Sequence, residues 1–334
     1  MPPIRKVAVF GASGTFGTPI TAALLNAGFE VTIVTRAAAA AAASDGSSSS
    51  SSSPPITSKT FPAQVASVVE VDSYGDVAAL AAALAGHDAA VSVLGPAALA
   101  HEAALVDAAA AAGLRRFVVN DFGWGQNPRC FPEMREVGAR RHVAWDRARD
   151  RADADPAFTW TGVTIGNPID WALRRFPRMG FNVAERTAAI YDSGTETFTG
   201  TTLEGIGQAV VGVLRHPEAT ANRFVKARSI QTCQNELLDA FQNQNNNNNN
   251  APGQQQQPWT VTHDSVAGLR ESSRQKRQAG VAGWILDLLV AQLYDEGEAR
   301  CVVAPSRQDS DADLLGIREE TAQEVAAKAL GLAG

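Results

Sequence analysis

The sequence predicts an α/β fold, a doubly wound parallel sheet followed by a smaller C-terminal α/β lobe. Three observations predict it. Apolar strands alternate with helical runs of about ten residues through the first half of the chain, the pattern of βαβ units. The first strand runs straight into three glycines at three-residue spacing, in "VAVFGASGTFGTPI", Val7 to Ile20. Beyond Asn167 the alternation loosens into short strands among turns. The expected division is therefore 1–155 for the first lobe, and 156–334 for the remaining sheet strands plus the second.

The elements follow in order. Val7–Phe10 is a continuous apolar run and reads as a buried strand. Ile20–Asn26 is helical and stops at Gly28. Glu30–Thr35 ("EVTIVT") is a β-branched second strand, and Val68–Val71 a third. Val77–Leu84 reads as a helix closed by Gly86, Ala90–Leu94 as a fourth strand, and Ala98–Ala112 as a helix ended by Gly113. Phe117–Asn120 and Thr159–Ile165 supply strands five and six, and right-handed crossovers follow. In the second lobe Ala188–Tyr191 is a short strand. Helices are expected at Leu203–Leu214, Asn235–Phe241, Ala282–Tyr294 and Glu319–Ala329. Two low-complexity runs, 37–55 and 242–258, bury too little apolar surface to offset ordering entropy and are expected to be disordered surface insertions.

A strand that stops at a glycine, turns and opens a helix presents free backbone N–H groups at the positive end of the helix dipole, which suits a phosphate. Gly11, Gly14 and Gly17 allow the tight turn, the approach of a pyrophosphate and close helix–strand packing. Ser13, Thr15 and Phe16 complete the turn and count with them as cofactor contacts. The end of the second strand chooses the dinucleotide. An acid there would bind the ribose hydroxyls of NAD, whereas this chain reads "VTIVTR", ending in Arg36, which suits the 2′-phosphate of NADPH. Lys59 is a second cation if its loop folds back. Asp72, at the end of the third strand, is expected at the adenine edge, and Gly95 leaves room at the end of the fourth.

Composition narrows the classes. The chain has 334 residues and a formal charge of −6, so nucleic acid is not expected as a partner. The basic stretch Arg135–Arg151 alternates with acids and aromatics at helical spacing and reads as a solvated helix face. Cys130, Cys233 and Cys301 are widely spaced, and the histidines form no ligand pair, so neither a disulfide scaffold nor a metal site is expected. No apolar run nears the roughly 20 residues that span a bilayer, and no signal peptide precedes the first strand. A cytoplasmic location is expected.

The spacing GxxGxxG points toward short-chain and atypical short-chain reductases. Their usual Tyr and Lys four residues apart is absent, because Tyr74, Tyr191 and Tyr294 are followed at that distance by Ala78, Thr195 and Glu298. The segments "GASGTFG", "SVLG", "AGLRRFVVNDFG", "TWTGVTIGNPIDWAL", "AAIYDSGTETFTGTTLEGIGQAVVGVLRHPE" and "LLGI" occur in the order found in NmrA-like, isoflavone reductase-like proteins, and the fungal members look especially similar. The resemblance implies a Rossmann lobe with a substrate lobe, and NADPH as cofactor. It carries Gly11, Gly14, Gly17 and Arg36 over as cofactor contacts. It also implies that Phe122, in Asp121–Phe122–Gly123, walls the nicotinamide site, and that Gly166, Asn167 and Pro168 lie against nicotinamide and substrate.

One departure matters. Reductases of this group carry a lysine one helical turn before an arginine, in a pattern like K-x-x-V-R, as general acid or base. Here the corresponding stretch is "FPEMREVGARRHV", and no lysine lies between Lys59 and Lys226. If Arg140 matches the family arginine, Glu136 stands at the lysine position; a shift by one puts Val137 or Arg135 there. Glutamate transfers protons when burial raises its pKa, whereas arginine stays protonated. His142 is chemically able as well. Three functions follow. The first is an NADPH-dependent reductase of a small aromatic or conjugated substrate, with Phe122, Trp124, Phe131, Trp171 and Phe181 offered to an apolar pocket. The second is an NmrA-like redox sensor that binds the dinucleotide without turnover and signals to a regulatory protein partner. The third, a Rossmann protein with no nucleotide role, is disfavoured by the complete glycine turn.

Overall fold

A computed structural model describes residues 2–37, 61–126, 129–176, 179–248 and 258–332, apart from the side chains of Glu136, Val137 and 245–248. The first part of the chain runs β1 (Lys6–Phe10), α1 (Gly17–Asn26), β2 (Glu30–Arg36), β3 (Ser67–Val71), α2 (Val77–Leu84), β4 (Ala89–Ser92), α3 (Glu102–Ala111) and β5 (Arg116–Val119). Next come α4 (Pro132–Ala154), β6 (Thr159–Thr164), α5 (Ile169–Arg175), β7 (Phe181–Asn182), β8 (Thr187–Tyr191) and β9 (Phe198–Gly200). The rest is α6 (Leu203–Arg215), β10 (Arg223–Lys226), β11 (Ile230–Thr232), α7 (Gln234–Asn248), β12 (Thr260–Asp264), α8 (Val266–Gln278), α9 (Trp284–Leu293) and α10 (Ala322–Leu330).

Seven strands form one parallel sheet in the order β10-β6-β5-β4-β1-β2-β3. The chain leaves β1 toward β2 and β3, then returns to lay β4 on the other side of β1. That reversal opens a crevice at the carboxyl ends of β1 and β4, where such sheets hold their ligands. Alternation within β1 explains the two faces. Val7 and Val9 pack with Ile20 and Leu24 of α1 and with Ile206 and Val210 of α6. Ala8 and Phe10 turn to the opposite face, against Leu80 of α2 and Leu105 of α3. The second lobe has its own core around Phe181, Phe198, Phe241 and Trp259, under an antiparallel pair (β9, β11) and a mixed three-stranded sheet (β7, β8, β12).

Three expectations are corrected. The fourth strand ends at Ser92 rather than Leu94. The helix expected over Ala98–Ala112 begins as a 3-10 turn at Pro96–His101 and becomes α-helical only at Glu102, since Pro96 fixes a tight start after Gly95. The second low-complexity run is not a loop over its first part. Residues 242–248 continue α7, and Gln244 Nε2 donates to the Gln323 carbonyl at 3.1 Å, which ties that turn to α10. Residues 38–60, Lys59 among them, and 249–257 lie outside the described residues. Among the described residues no helix is long and apolar enough to cross a membrane.

Candidate functional site

The turn after β1 is built on glycine by necessity. Gly11 has φ +80°, and a Cβ there would lie 2.6 Å from the Val93 carbonyl oxygen of the β4 end. A Cβ on Gly17 would lie 2.1 Å from the Gly11 oxygen and 2.7 Å from the Ala12 Cα. The Gly14 N–H closes the turn onto the Gly11 carbonyl at 2.9 Å. Ser13, Gly14 and Thr15 are exposed at its crest. Phe16 caps α1 without any side-chain hydrogen bond; in the first turn the Thr18 N–H donates to the Gly14 carbonyl at 3.0 Å, and Pro19 brings no N–H.

Arg36 ends β2, exposed, with its guanidinium 5.5 Å from the ring centre of Tyr74. Tyr74 is buried, donates its hydroxyl to the Val34 carbonyl at 3.1 Å and meets Phe10 edge-on. It is a buried platform beneath the Arg36 side chain, and no motif announces it. The register pairs Arg36 with Val71, which brings exposed Asp72 beside the end of β2. Gly95, at the end of β4, faces open space.

At the end of β5, Asp121 is 1% exposed and accepts from Thr164 Oγ1 at 2.7 Å and from the Gly125 N–H at 3.2 Å. Burial pushes its carboxyl up to about 6, against the pull of these donors and of Arg141. Arg141 reaches in from α4, 4.0 Å from Asp121 Oδ1, and donates to the Asp121 main-chain carbonyl. Phe122 follows at φ +38°, buried, with its ring 6.1 Å from that of Phe16. The same loop continues to Gly123, whose carbonyl accepts from the N–H groups of Ile165 and Gly166 at 3.0 Å each.

That pairing delivers the loop after β6 to an apolar cavity of about 90 Å³. Trp124, Asn167, Trp171, Phe176, Met179 and Leu289 are among the residues lining it. Asn167 is 6% exposed; its Nδ2 faces the Met179 thioether at 3.5 Å, and its Oδ1 receives no hydrogen bond from the described residues. A buried acceptor left unsatisfied is costly. Met179 is fixed in turn, since Tyr294 Oη donates to its carbonyl at 2.8 Å.

The fold thus brings together Gly11, Ser13, Gly14, Thr15, Phe16, Gly17, Gly95, Phe122, Asn167 and Pro168 along the carboxyl ends of the strands, with Arg36 and Asp72 at the far end. Other expected residues stand apart. Phe131 lies between the guanidinium groups of Arg270 and Arg300, 4.8 Å from each, and Phe181 is packed against Phe241 and Trp259 in the lobe core. Arg135 and Arg140 are exposed, and His142 stacks on Trp145 rather than facing the site. Arg141, not Arg140, is the arginine that turns to the Asp121 loop. The Glu136 side chain lies outside the described atoms. Tyr74, Glu102, Arg141 and Met179 escaped sequence reasoning because only the crossing of separate elements makes them neighbours.

Comparison with known proteins places this geometry. The model of the NmrA-like family matches residues 3–129. The oxidoreductase poxI of Penicillium oxalicum is 52% identical over 321 residues, 96% of this chain and 92% of its own. Two solved structures share the fold over 99% of both chains. AtPrR2 with NADP+ and (+)pinoresinol has a TM-score of 0.70 at 16% identity, and an isoflavone reductase has 0.67 at 14%.

Proposed function

The chain belongs to the NmrA-like family, and from that premise we propose that it is an NADPH-dependent reductase of a small aromatic or conjugated substrate. One observation carries the reading. The phosphate turn, the Phe122 loop and the apolar cavity form a continuous run, through the Phe16–Phe122 ring contact and the Gly123–Gly166 hydrogen bond. A hydride donor laid along that run would reach from Arg36 to the mouth of the cavity. The 52% identical relative is called an oxidoreductase, and AtPrR2 was solved with NADP+.

The residues present fit the dinucleotide. The space a Cβ would fill at Gly11 and Gly17 is already occupied by main chain, so the turn stays narrow and brings no side chain of its own at these positions into the path of the pyrophosphate. Arg36, steadied by Tyr74, would take the 2′-phosphate through its planar fork. When bound, NADPH supplies the hydride. The chain does the rest: Phe122 walls the ring, Trp171 and Phe176 exclude water, and the Asn167 Oδ1 accepts a donor from the molecule in the cavity. Glu136, which stands at the family lysine position if Arg140 matches the family arginine, is the proposed proton donor; if Arg141 is the match, Val137 stands there and supplies no proton.

A second reading, a dinucleotide sensor without turnover that reports to a protein partner, is favoured by the absence of lysine between Lys59 and Lys226. Tryptophan fluorescence titration with NADPH and NADH, followed by NADPH oxidation across a panel of quinones, enones and aromatic carbonyls, separates the two. Tight NADPH binding with turnover supports the reductase. Tight binding with no turnover on any class supports the sensor, and failure to bind either dinucleotide refutes both.

A further inference from the structure

Glu102, the first residue of α3, is 2% exposed in the wall between the ends of β4 and β5. Its Oε1 accepts from Ser92 Oγ at 2.7 Å and from Asn120 Nδ2 at 3.0 Å. The same Nδ2 donates to the Leu94 carbonyl at 2.7 Å. Leu94 follows Val93, whose carbonyl lies close against Gly11, so Asn120 links Glu102 to the main chain that borders the glycine turn. Its Oε2 is enclosed and receives no hydrogen bond from the described residues. A carboxylate in that position would have one oxygen buried without a donor, which a neutral carboxyl tolerates far better.

The charged groups around it are few. Arg141 of α4 favours the ionised form, and Asp121, which follows Asn120, competes for the same guanidinium. Farther along α3, Asp107 is paired with Arg147 and Arg151 of α4, and His101, just before α3, sits beside Gly75. Burial outweighs the donors and pushes the Glu102 carboxyl up to about 7.

We propose that Glu102 sets the preference of this site between the reduced and the oxidised dinucleotide. Its neutral carboxyl favours the reduced form, and its ionised carboxylate favours the oxidised form, whose nicotinamide ring carries a positive charge. The inference rests on the reading that the nicotinamide lies beside Phe122, one strand end from Glu102. At an effective dielectric near 20, a unit charge about 10 Å away changes affinity by roughly tenfold.

The test is to titrate the full chain with NADPH and with NADP+ between pH 6 and 8.5 and follow the ratio of the two dissociation constants. The 2′-phosphate titrates in both forms and cancels in that ratio. The ratio is expected to move toward NADP+ by roughly tenfold as pH rises across neutrality. Glu102→Gln, which keeps an acceptor for Ser92 and Asn120, should flatten it. Ser92→Ala removes a donor to the carboxylate and should move the midpoint to higher pH. A ratio independent of pH in the unaltered protein overturns the proposal. So does a pH dependence that survives Glu102→Gln, which would belong to Asp121. Should Glu102→Gln fail to fold, an unmoved midpoint in Ser92→Ala overturns it instead. Failure to bind either dinucleotide refutes the reductase reading and this inference together, whereas binding with a flat ratio refutes only the inference.

Discussion

Phe16 and Phe122 face each other with ring centroids 6.1 Å apart and planes inclined at 40°. One caps the helix after β1, and the other follows β5 in a backbone conformation that a side chain other than glycine seldom adopts. Their contact joins the phosphate turn to the loop that leads into the apolar cavity. Strain at φ +38° persists only where surroundings over-determine it, and here Arg141, Thr164 and Gly125 all hold the preceding Asp121.

The glycine turn should be intolerant at Gly17 and forgiving at Gly28. Gly17→Ala drives a methyl group into the Gly11 carbonyl and the Ala12 backbone, neither of which can yield without opening the turn. It should cost several kcal/mol, in the range of the largest single-residue effects, about 4 or more. Gly28→Ala meets nothing, so only its left-handed backbone, φ +84°, opposes the change, and about 1 kcal/mol is expected. Urea denaturation of the two variants checks the contrast; equal losses would remove the steric argument.

Arg36→Asp should weaken NADPH by up to several kcal/mol and leave NADH nearly untouched, since charge-assisted hydrogen bonds are worth about 1.5–3 kcal/mol each. Tyr74→Leu should weaken NADPH in the same direction but less, because it removes the platform under Arg36 and not the charge. Competitive titrations read both, and equal weakening of the two dinucleotides by Arg36→Asp would show that Arg36 does not meet the 2′-phosphate.

Glu102 and Asp121 make stability fall as pH rises. Burial raises both carboxyls in the folded chain, to about 7 and about 6. Below about pH 4 each is protonated whether the chain is folded or not, and the folded state carries no penalty. As pH rises through 4 to 7 the unfolded chain releases its protons first, and stability is lost until the folded groups ionise as well. Glu102→Gln removes that loss for one group. Its melting temperature should exceed that of the unaltered protein by a few degrees at pH 8, from roughly 2–3 kcal/mol, and not at pH 4.5. A difference that is the same at both pH values would rule out titration as its cause.

Glu136 is the proposed proton donor. If it donates the proton, Glu136→Gln should lower turnover roughly 10²–10⁴-fold with NADPH affinity unchanged. If the protein is a sensor, that substitution changes nothing measurable, and Glu136→Lys creates turnover only where the scaffold has kept reductase geometry. Steady-state rates with the responsive members of the substrate panel separate these outcomes. Full activity in Glu136→Gln would require another proton donor.

The strands from β1 to β6, the glycine turn and Arg36 at the end of β2 were legible in the sequence because each is a local statement. A buried parallel strand is a short apolar run, a phosphate turn needs glycines at fixed spacing, and the cofactor-selecting residue sits where a strand ends. β10 was not legible: "RFVK" is four residues with no strong periodicity, and it is a strand because the edge of β6 offers it a ladder. Residues 242–248 likewise read as disordered by composition, and they are helical because α7 propagates against α10. The sequence by itself thus determined six of the seven strands of the main sheet and the glycine turn after the first of them. Only the tertiary structure decided that Tyr74 lies under Arg36, that Arg141 rather than Arg140 meets Asp121, and that Glu102 and Asn167 each bury an oxygen without a donor among the described residues. Those relationships join residues from different elements, and their consequences come from removing water around both partners at once, which no pattern along the chain encodes.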